Sequence, residues 1–327
     1  MSSDVMLAAR VRSFSTDDPL SGLEVGEVDR PLAPAGWSRV RVKAASLNHH
    51  DLWSLKGVGL RAEQLPMILG TDAAGIDDDG NEVIVHSVIA SDGWRGDETF
   101  DPARTLLSEK WPGAIAEEVW VPAHNLVPKP AALTWEEAAC MPTAWLTAYR
   151  MLFRDSGLTP GCTVLIQGST GGVATALIVL ARAAGYRVWT TGRTEQGRAA
   201  AVALGADEAF ASGARLPARV DAVMETVGEA TWEHSLRALR PGGTVVISGA
   251  TSGQSPAAGL NRIFFQQMRV IGSTMGTRQE LISVSELCAL RGIKPVIDSV
   301  HELANAADAF ARLHSGDAVG KVVVTVD

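Results

Sequence analysis

Four consecutive polar residues follow the apolar Leu47: Asn48, His49, His50 and Asp51. Imidazole and carboxylate groups are common zinc ligands, so this segment could begin a metal site. Histidine also titrates near neutral pH, so the same residues could transfer protons. Adjacent histidines on an extended segment point to opposite sides, and one ion therefore rarely binds both. The sequence thus favours cofactor contact and proton transfer over metal binding, and a simple polar turn stays open for His49.

A glycine-rich segment, STGGVA (169–174), joins the apolar stretch TVLIQ to an apolar helical pattern. Glycines at a strand-to-helix turn let the backbone approach a pyrophosphate, and the helix N-terminus supplies N–H donors. The segment matches the second glycine of the motif G-x-G-x-x-G/A with Gly171 and its final position with Ala174, whereas Ser169 replaces the first glycine. A turn that only packs helix on sheet is the alternative. The predicted dinucleotide contacts are Ser169, Thr170, Gly171, Gly172 and Val173.

The next predicted strand ends at Gly192, where an NAD-specific site usually carries an acidic residue that binds the ribose hydroxyls. Arg193 follows, and a guanidinium can bind a 2′-phosphate through two parallel hydrogen bonds. The sequence therefore predicts NADP(H) as the cofactor, with Gly192 and Arg193 at the 2′-phosphate. Arg198 could assist, although a solvated residue at the start of a helix is the simpler interpretation.

The elements that position these residues fall into two patterns. Up to residue 130, short alternating segments with turn signals predict a β-rich, barrel-like unit. From residue 131, strands alternate with helices, which predicts parallel β-α-β units and a doubly wound α/β sheet. Thr134 and Glu137 form a capping-box pattern, followed by helical spacing to Gly157. From about residue 278, a helix, a strand, a helix and a strand are expected to rejoin the first unit.

The composition excludes several classes of partner. The formal net charge is −8, whereas nucleic-acid binding usually requires a basic stripe. The three cysteines, Cys140, Cys162 and Cys288, are far apart, which fits a reducing compartment. The N-terminus has no apolar core of signal-peptide length, and no apolar stretch is long enough to cross a bilayer. We therefore expect a cytoplasmic protein that binds neither nucleic acid nor membrane.

Seven segments, taken in order, resemble the medium-chain dehydrogenase/reductase superfamily over nearly the whole chain. The most similar branch is the zinc-independent, quinone-oxidoreductase-like one, which is also alcohol dehydrogenase-like. The segments are LNHHDLWSLKG, PMILGTDAAG, LTWEEAACMPTAWLTAYRML, PGCTVLIQGSTGGVA, ALGADEAF, LRPGGTVVISGAT and GKVVVTVD. The resemblance implies a GroES-like catalytic domain formed by residues 1–130 and 278–327. It also implies a Rossmann dinucleotide-binding domain at 131–277, and a homodimer.

The resemblance also locates three positions at which zinc-dependent relatives bind their catalytic metal. Asn48, Thr71 and Thr143 occupy these positions here. Zinc binds thiolate, imidazole or carboxylate groups, so an amide and two hydroxyls are not a competent set. The four-cysteine lobe that holds a structural zinc is absent as well. We therefore expect no metal. An alcohol dehydrogenase-like enzyme that recruits a metal through the adjacent histidines and Asp72 is the alternative.

The resemblance implies hydride transfer from NADPH to a quinone, an enone or another carbonyl substrate. Without a metal, hydrogen-bond donors must stabilise the developing oxyanion. The predicted catalytic residues are Asn48 as donor, His50 as proton relay and Asp51 as orienting group. Lys321 either approaches the site or is an exposed lysine. A non-catalytic NADPH-binding protein is a further alternative. The remaining predicted cofactor contacts are His49, Thr147, Thr226, Gly249, Thr251 and Thr274.

Overall fold

A computed structural model describes residues 5–327, which divide into two compact units. The first unit combines the chain up to Thr143 with Gly276–Asp327, and the second is Ala144–Met275. The predicted boundary after residue 130 therefore falls inside the first unit. The reason is that the helix Trp135–Ala139 packs against strands of the first unit.

The strands and helices are numbered separately in chain order. The strands are β1 (Val5–Val11), β2 (Leu23–Asp29), β3 (Trp37–Ser46), β4 (Met67–Ile68), β5 (Asp72–Asp77), β6 (Glu82–Val85), β7 (Val88–Ile89), β8 (Thr105–Leu106), β9 (Glu118–Pro122), β10 (Leu126–Pro128), β11 (Thr163–Gln167), β12 (Arg187–Gly192), β13 (Glu208–Ala211), β14 (Val220–Glu225), β15 (Leu239–Ile247), β16 (Arg269–Gly272), β17 (Ile297–Glu302) and β18 (Lys321–Thr325). The helices are α1 (His49–Leu55), α2 (Trp135–Ala139), α3 (Leu146–Arg150), α4 (Gly172–Ala183), α5 (Glu195–Ala203), α6 (Glu229–Ala238), α7 (Leu260–Phe265), α8 (Arg278–Arg291) and α9 (Ala306–His314).

The first unit is built on a mainly antiparallel sheet with the strand order β10-β6-β5-β3-β18-β17, and β9 also pairs with β3. Strand β3 runs antiparallel to both β5 and β18. The carboxyl end of β3 therefore lies beside the amino ends of two neighbours. Ser46 is paired with Asp72 on one side and with Val323 on the other. Leu47, Leu55 and other buried aliphatic side chains form the core of this unit.

The second unit is a six-stranded parallel sheet with the order β13-β12-β11-β14-β15-β16. The strand order reverses between β11 and β14, and ligands of doubly wound sheets bind at such a point. This architecture confirms the predicted doubly wound α/β sheet. The carboxyl ends of all six strands lie on one edge, so the turns that follow them are collected there.

The predicted helix from Thr134 to Gly157 begins as expected but is interrupted. The Thr134 hydroxyl accepts the Glu137 N–H at 3.2 Å, and the Glu137 carboxylate accepts the Thr134 N–H at 3.0 Å. A wide π-helical turn, Met141–Trp145, then separates α2 from α3. Pro142 lies in this turn and has no N–H to donate to the regular helical ladder.

Helix α6 also differs from its prediction, because it ends at Ala238 and not at the Pro-Gly-Gly sequence. Strand β15 begins at Leu239 and includes those three residues. Among the helices in residues 5–327, none combines the length and the apolar character needed to cross a membrane.

Candidate active site

Polar side chains from three strands of the first unit meet where β3 ends and where β5 and β18 begin. Ser46 is the last residue of β3, Asp72 is the first of β5, and Lys321 is the first of β18. Asn48 and Thr71 lie next to these strand ends in the chain. All five side chains are buried. Antiparallel pairing therefore assembles one polar cluster from three distant parts of the sequence.

Lys321 lies at the centre of this cluster and is only 2% exposed. Its Nζ donates to the Leu47 carbonyl oxygen and to Asn48 Oδ1, both at 2.6 Å. It also donates to Asp72 Oδ2 at 3.3 Å. An ammonium has three protons, so every proton of Lys321 has an acceptor. The interpretation of Lys321 as an exposed lysine is therefore excluded.

The amide of Asn48 is held in one orientation. Its Oδ1 must face Lys321, because an ammonium can only donate hydrogen bonds. Its Nδ2 donates to Asp72 Oδ2 at 2.8 Å and to Thr71 Oγ1 at 3.2 Å. Both amide protons thus have acceptors within the protein. This differs from the expectation that Asn48 donates directly to a substrate oxygen.

Thr71 connects Asn48 to Thr143. The Thr71 and Thr143 hydroxyl oxygens are 3.0 Å apart and share a hydrogen bond. Thr71 is 1% exposed, whereas Thr143, in the turn Met141–Trp145, is partly exposed. The three positions at which the resemblance places zinc ligands therefore lie in one hydrogen-bonded row, and the row ends at a partly exposed threonine.

Asp51 is fully buried and fixes the start of α1. Its Oδ2 accepts the backbone N–H of Asn48 at 2.8 Å, and its Oδ1 accepts the N–H of Gly70 at 3.0 Å. Burial raises the pKa of Asp51 to about 6, although the nearby positive charge of His50 and the Asn48 hydrogen bond lower it. Asp51 thus joins the two chain segments that carry Asn48 and Thr71.

The two histidines have different surroundings. His49 is the first residue of α1 and its side chain is exposed. His50 is partly buried, and its Nε2 lies 3.0 Å from Glu109 Oε1. Burial lowers the pKa of His50, but the Glu109 hydrogen bond and the charge of Asp51 outweigh it and raise the pKa above its ordinary value. His50 therefore has a carboxylate partner that the sequence did not indicate.

The residues at the three metal positions do not fit a zinc ion. They offer two hydroxyls and one amide, and the amide oxygen already accepts a hydrogen bond from the Lys321 ammonium. A second positive charge at this place would be repelled. The buried Cys140 supplies no thiolate, because burial raises the pKa of its thiol to about 12.

The alternative metal site has no better support in the described part of the chain. Within residues 5–327, no three His, Cys, Asp or Glu side chains are grouped as metal ligands. Asp72 Oδ1 is buried without a hydrogen-bond partner there, but Asp72 Oδ2 accepts three hydrogen bonds, from Ser46, Asn48 and Lys321. A single carboxylate oxygen is too few ligands for a zinc site.

In the second unit, the glycine-rich segment has the predicted strand-turn-helix context. Strand β11 ends at Gln167, and Gly171 is the N-cap of the 12-residue helix α4. Gly168 has φ of +91°, a backbone conformation that favours glycine. Ser169 is buried in the turn, whereas Gly171 is exposed. The backbone of this turn and the start of α4 can therefore bind a phosphate group.

A side chain at Gly192, the last residue of β12, would require Ser169 and Arg198 to move. A Cβ atom at this position would lie 2.5 Å from Ser169 Oγ and 2.9 Å from Arg198 Cγ. Arg193 is exposed, and its guanidinium has no hydrogen-bond partner among residues 5–327. Arg198 donates to the Gly192 carbonyl oxygen at 3.0 Å. Arg198 thus supports the turn, and Arg193 is free to bind a ligand.

The other predicted cofactor contacts of the second unit lie near the same edge of its sheet, except that Thr147 is buried in α3. Thr226 directly follows β14, and its carbonyl oxygen accepts a hydrogen bond from Thr251 at 3.5 Å. A Cβ on Gly249 would lie 2.8 Å from that oxygen, so glycine permits the close approach. Thr274 follows β16 and is exposed. His49 belongs to the first unit and is not part of this group.

Sequence reasoning missed three polar residues of these sites. Ser46 donates to Asp72 Oδ2 at 2.8 Å, and Glu109 pairs with His50. In the second unit the buried Glu225 accepts the N–H groups of Val227 and Gly228, at 2.8 and 3.0 Å, which fixes the turn after β14. The local sequence does not indicate a role for these residues, because the hydrogen-bond partner of each one depends on strand pairing or on the path of a loop.

Two family models match the chain. A model described as "Alcohol dehydrogenase GroES-like domain" matches residues 34–131. A model described as "Zinc-binding dehydrogenase" matches residues 199–324. The first match lies in the unit that carries the polar cluster. The second spans most of the parallel sheet and the return to the first unit. Its description refers to zinc, a metal that the residues at the three metal positions of this chain do not fit.

Relatives align with nearly the whole chain. A zinc-type alcohol dehydrogenase-like protein of Schizosaccharomyces pombe is 30% identical, over 96% of this chain and 99% of its own length. The crystal structure of an NAD-dependent alcohol dehydrogenase superposes with a TM-score of 0.90 at 31% identity, covering 98% of this chain and 100% of that one. The 2-octenoyl-CoA carboxylase reductase CinF, in complex with NADP and 2-octenoyl-CoA, superposes with a TM-score of 0.91 at 26% identity, covering 99% and 88%.

The fold and the relatives agree with the predicted architecture. The chain has a GroES-like unit and a Rossmann-type parallel sheet, in the arrangement along the sequence that the resemblance implies. Together with the relative that is 30% identical over its full length, these matches establish the family. The chain belongs to the medium-chain dehydrogenase/reductase superfamily of oxidoreductases.

Proposed function

We propose that the chain is a cytoplasmic NADPH-dependent reductase that transfers a hydride to a quinone, an enone or another carbonyl substrate without a catalytic metal. The observation that carries this proposal is the neutral donor set at the three metal positions, held beside the buried ammonium of Lys321. Such a set can stabilise a developing oxyanion by hydrogen bonding.

The cofactor is NADP(H). The relative CinF binds NADP, and the present chain has features at the end of β12 that suit the same ligand. The end of β12 carries Gly192 and no acidic residue that would repel a 2′-phosphate, and the next residue is the exposed Arg193. The proposed contacts to the cofactor are His49, Thr147, Ser169, Thr170, Gly171, Gly172, Val173, Gly192, Arg193, Thr226, Gly249, Thr251 and Thr274.

Substrate reduction needs an oxyanion donor and a source of protons. CinF is complexed with 2-octenoyl-CoA, an activated enone-like thioester, and the same reaction type suits the present donor set. The hydride adds to the electron-poor carbon, and the charge moves to the carbonyl oxygen. Asn48 and Asp51 maintain the geometry of the donor row. His50 with Glu109 is the proposed acid-base pair, because the two side chains lie 3.0 Å apart and histidine can both donate and accept a proton.

We further propose that two copies of the chain form a homodimer. Strand β16 is an edge of the parallel sheet, and edge strands can pair with a second copy. Its Val270 is 43% exposed, and the neighbouring α7 exposes Phe264 and Phe265 at 58% and 73%. Sedimentation of the wild type and of Phe265→Asp tests this proposal, with a dimer expected only for the wild type.

A screen of NADPH oxidation tests the proposed reaction. Purified protein is assayed with quinones, enones, enoyl thioesters and aldehydes, with and without a chelator. We expect turnover with at least one of the first three classes and no loss of activity on chelation. Stoichiometric zinc that is removed together with activity would instead support the metal-dependent alternative. Tight NADPH binding without turnover on any acceptor would support a non-catalytic NADPH-binding protein.

A further inference from the structure

We propose that the Thr143 hydroxyl is the group that donates a hydrogen bond to the substrate oxygen, and that Lys321, Asn48 and Thr71 orient its proton outward. The inference rests on the proposed reductase function and deepens it. It assigns the direct catalytic contact to Thr143, and it makes Asn48 a positioning residue.

The direction of the first two hydrogen bonds follows from chemistry. Lys321 can only donate, so Asn48 Oδ1 is the acceptor at 2.6 Å. The amide orientation is thereby fixed, and Nδ2 donates to Thr71 Oγ1 at 3.2 Å. The carboxylate of Asp72 supports the same orientation, because it can only accept the second Nδ2 proton.

The direction of the last hydrogen bond follows from burial. Thr71 is 1% exposed, and Thr143 is the only acceptor for its proton among the hydrogen bonds of residues 5–327. A buried hydroxyl proton without an acceptor is costly, so Thr71 donates to Thr143. Thr143 is partly exposed, and its own proton then points away from Thr71. The row thus has one oriented donor at its partly exposed end.

This row stabilises charge but does not supply protons. The amide of Asn48 cannot pass a proton from Lys321 to Thr71, because its nitrogen has no lone pair to accept one. The hydride from NADPH adds to carbon, the resulting oxyanion accepts the Thr143 hydrogen bond, and water or His50 then supplies the proton. The ammonium at the far end of the row polarises the intervening hydrogen bonds in the direction that strengthens this donor.

Substitutions of Thr143 test the assignment directly. Thr143→Val keeps the side-chain shape and removes the donor, so we expect kcat to fall about 100- to 1,000-fold, the order seen when one oxyanion donor is lost. Thr143→Ser keeps the hydroxyl and should restore kcat to within about 3-fold of the wild type by the same reasoning. NADPH affinity, measured by fluorescence titration, should not change in either variant. The matched control is Thr325→Val, which removes a partly exposed hydroxyl on β18.

A double-mutant cycle tests the positioning role of Thr71. Thr71→Val should lower kcat in the wild-type background, and Thr71→Ser should rescue it. In the Thr143→Val background, Thr71→Val should have little further effect on kcat, because the two hydroxyls act as one unit. Fully additive effects of the two substitutions on kcat would overturn the positioning role of Thr71. A purely structural role would move the unfolding midpoint but would not produce this loss of additivity in kcat.

The outcomes separate this inference from the proposed function. Wild-type turnover together with a Thr143→Val kcat within about 2-fold of wild type would overturn the inference, because a lost oxyanion donor costs far more. The proposed function would then stand. Absence of wild-type turnover with every acceptor would overturn the proposed function, and the inference with it.

Discussion

The two predicted sites of this protein are built from different chemical groups. In the first unit, charged and polar side chains are buried and satisfy one another, with Lys321 bonded to three oxygens. In the second unit, the turns after the parallel strands expose backbone groups and small residues, and the predicted phosphate-binding side chain, Arg193, is exposed. The first site is therefore part of the folding core, whereas the predicted phosphate-binding side chain of the second site is exposed to solvent.

Because of this difference, we expect substitutions at the first site to lower stability and substitutions at the second site to weaken ligand binding. A buried charge that loses its partner must be desolvated without compensation, so substitutions in the first unit should be costly before any substrate is added. An exposed arginine without protein partners contributes little to folding, so its loss should appear only when a ligand binds. The following predictions test this contrast, beginning with the largest expected effect.

Lys321→Met should lower the free energy of unfolding by about 3–5 kcal/mol, because it leaves the buried Asp72 carboxylate without its positive partner and the Asn48 amide oxygen without a donor. Urea unfolding monitored by circular dichroism measures the change. The double variant Lys321→Met/Asp72→Asn should recover part of the loss. The control is Lys294→Met, which breaks an ion pair of 2.8 Å whose lysine is 63% exposed and should cost less than about 1 kcal/mol. Equal costs for the two lysines would contradict the contrast.

Asp51 should make stability fall as pH rises through the acidic range. Its pKa is raised to about 6 in the folded protein and is about 3.9 in an unfolded chain, so the folded state binds the proton more tightly. The stabilisation is complete below the lower pKa and is lost as pH rises through the higher one. Relative to Asp51→Asn, the unfolding free energy should fall by about 2 kcal/mol between pH 4 and pH 7. A constant difference between the two proteins over this range would refute the prediction.

Arg193→Ala should weaken NADPH binding by about 10- to 100-fold, the value of a charge-assisted hydrogen bond pair to phosphate. NADH binding and the unfolding midpoint should stay unchanged, because the side chain has no protein partner to lose. Fluorescence titration with both nucleotides measures the effect. Arg187→Ala, at the opposite end of β12, is the matched control. An equal loss of NADPH and NADH affinity would place the 2′-phosphate elsewhere.

Local patterns predicted much of the fold because they depend on neighbouring residues. The phosphate turn at 169–174 could be predicted from a strand, glycines and a helix in immediate succession, and the structure has this order. The boundary after residue 130 was misplaced, because the helix Trp135–Ala139 has the same pattern whichever unit it packs against. The break at Met141–Trp145 was missed, although Pro142 was a visible signal.

The sequence by itself determined which chemical groups are available: an amide and two hydroxyls where zinc ligands would be, and an arginine instead of an acid at the end of β12. Only the tertiary structure decided how they are used. Lys321 and Asp72 are 249 residues apart in the chain, and they meet because β3 pairs with both β5 and β18. The orientation of Asn48 depends on that meeting, since the buried ammonium and the Asp72 carboxylate together fix which end of the amide faces Thr71. Thr71 accepts from that end, and its own proton is then donated to Thr143.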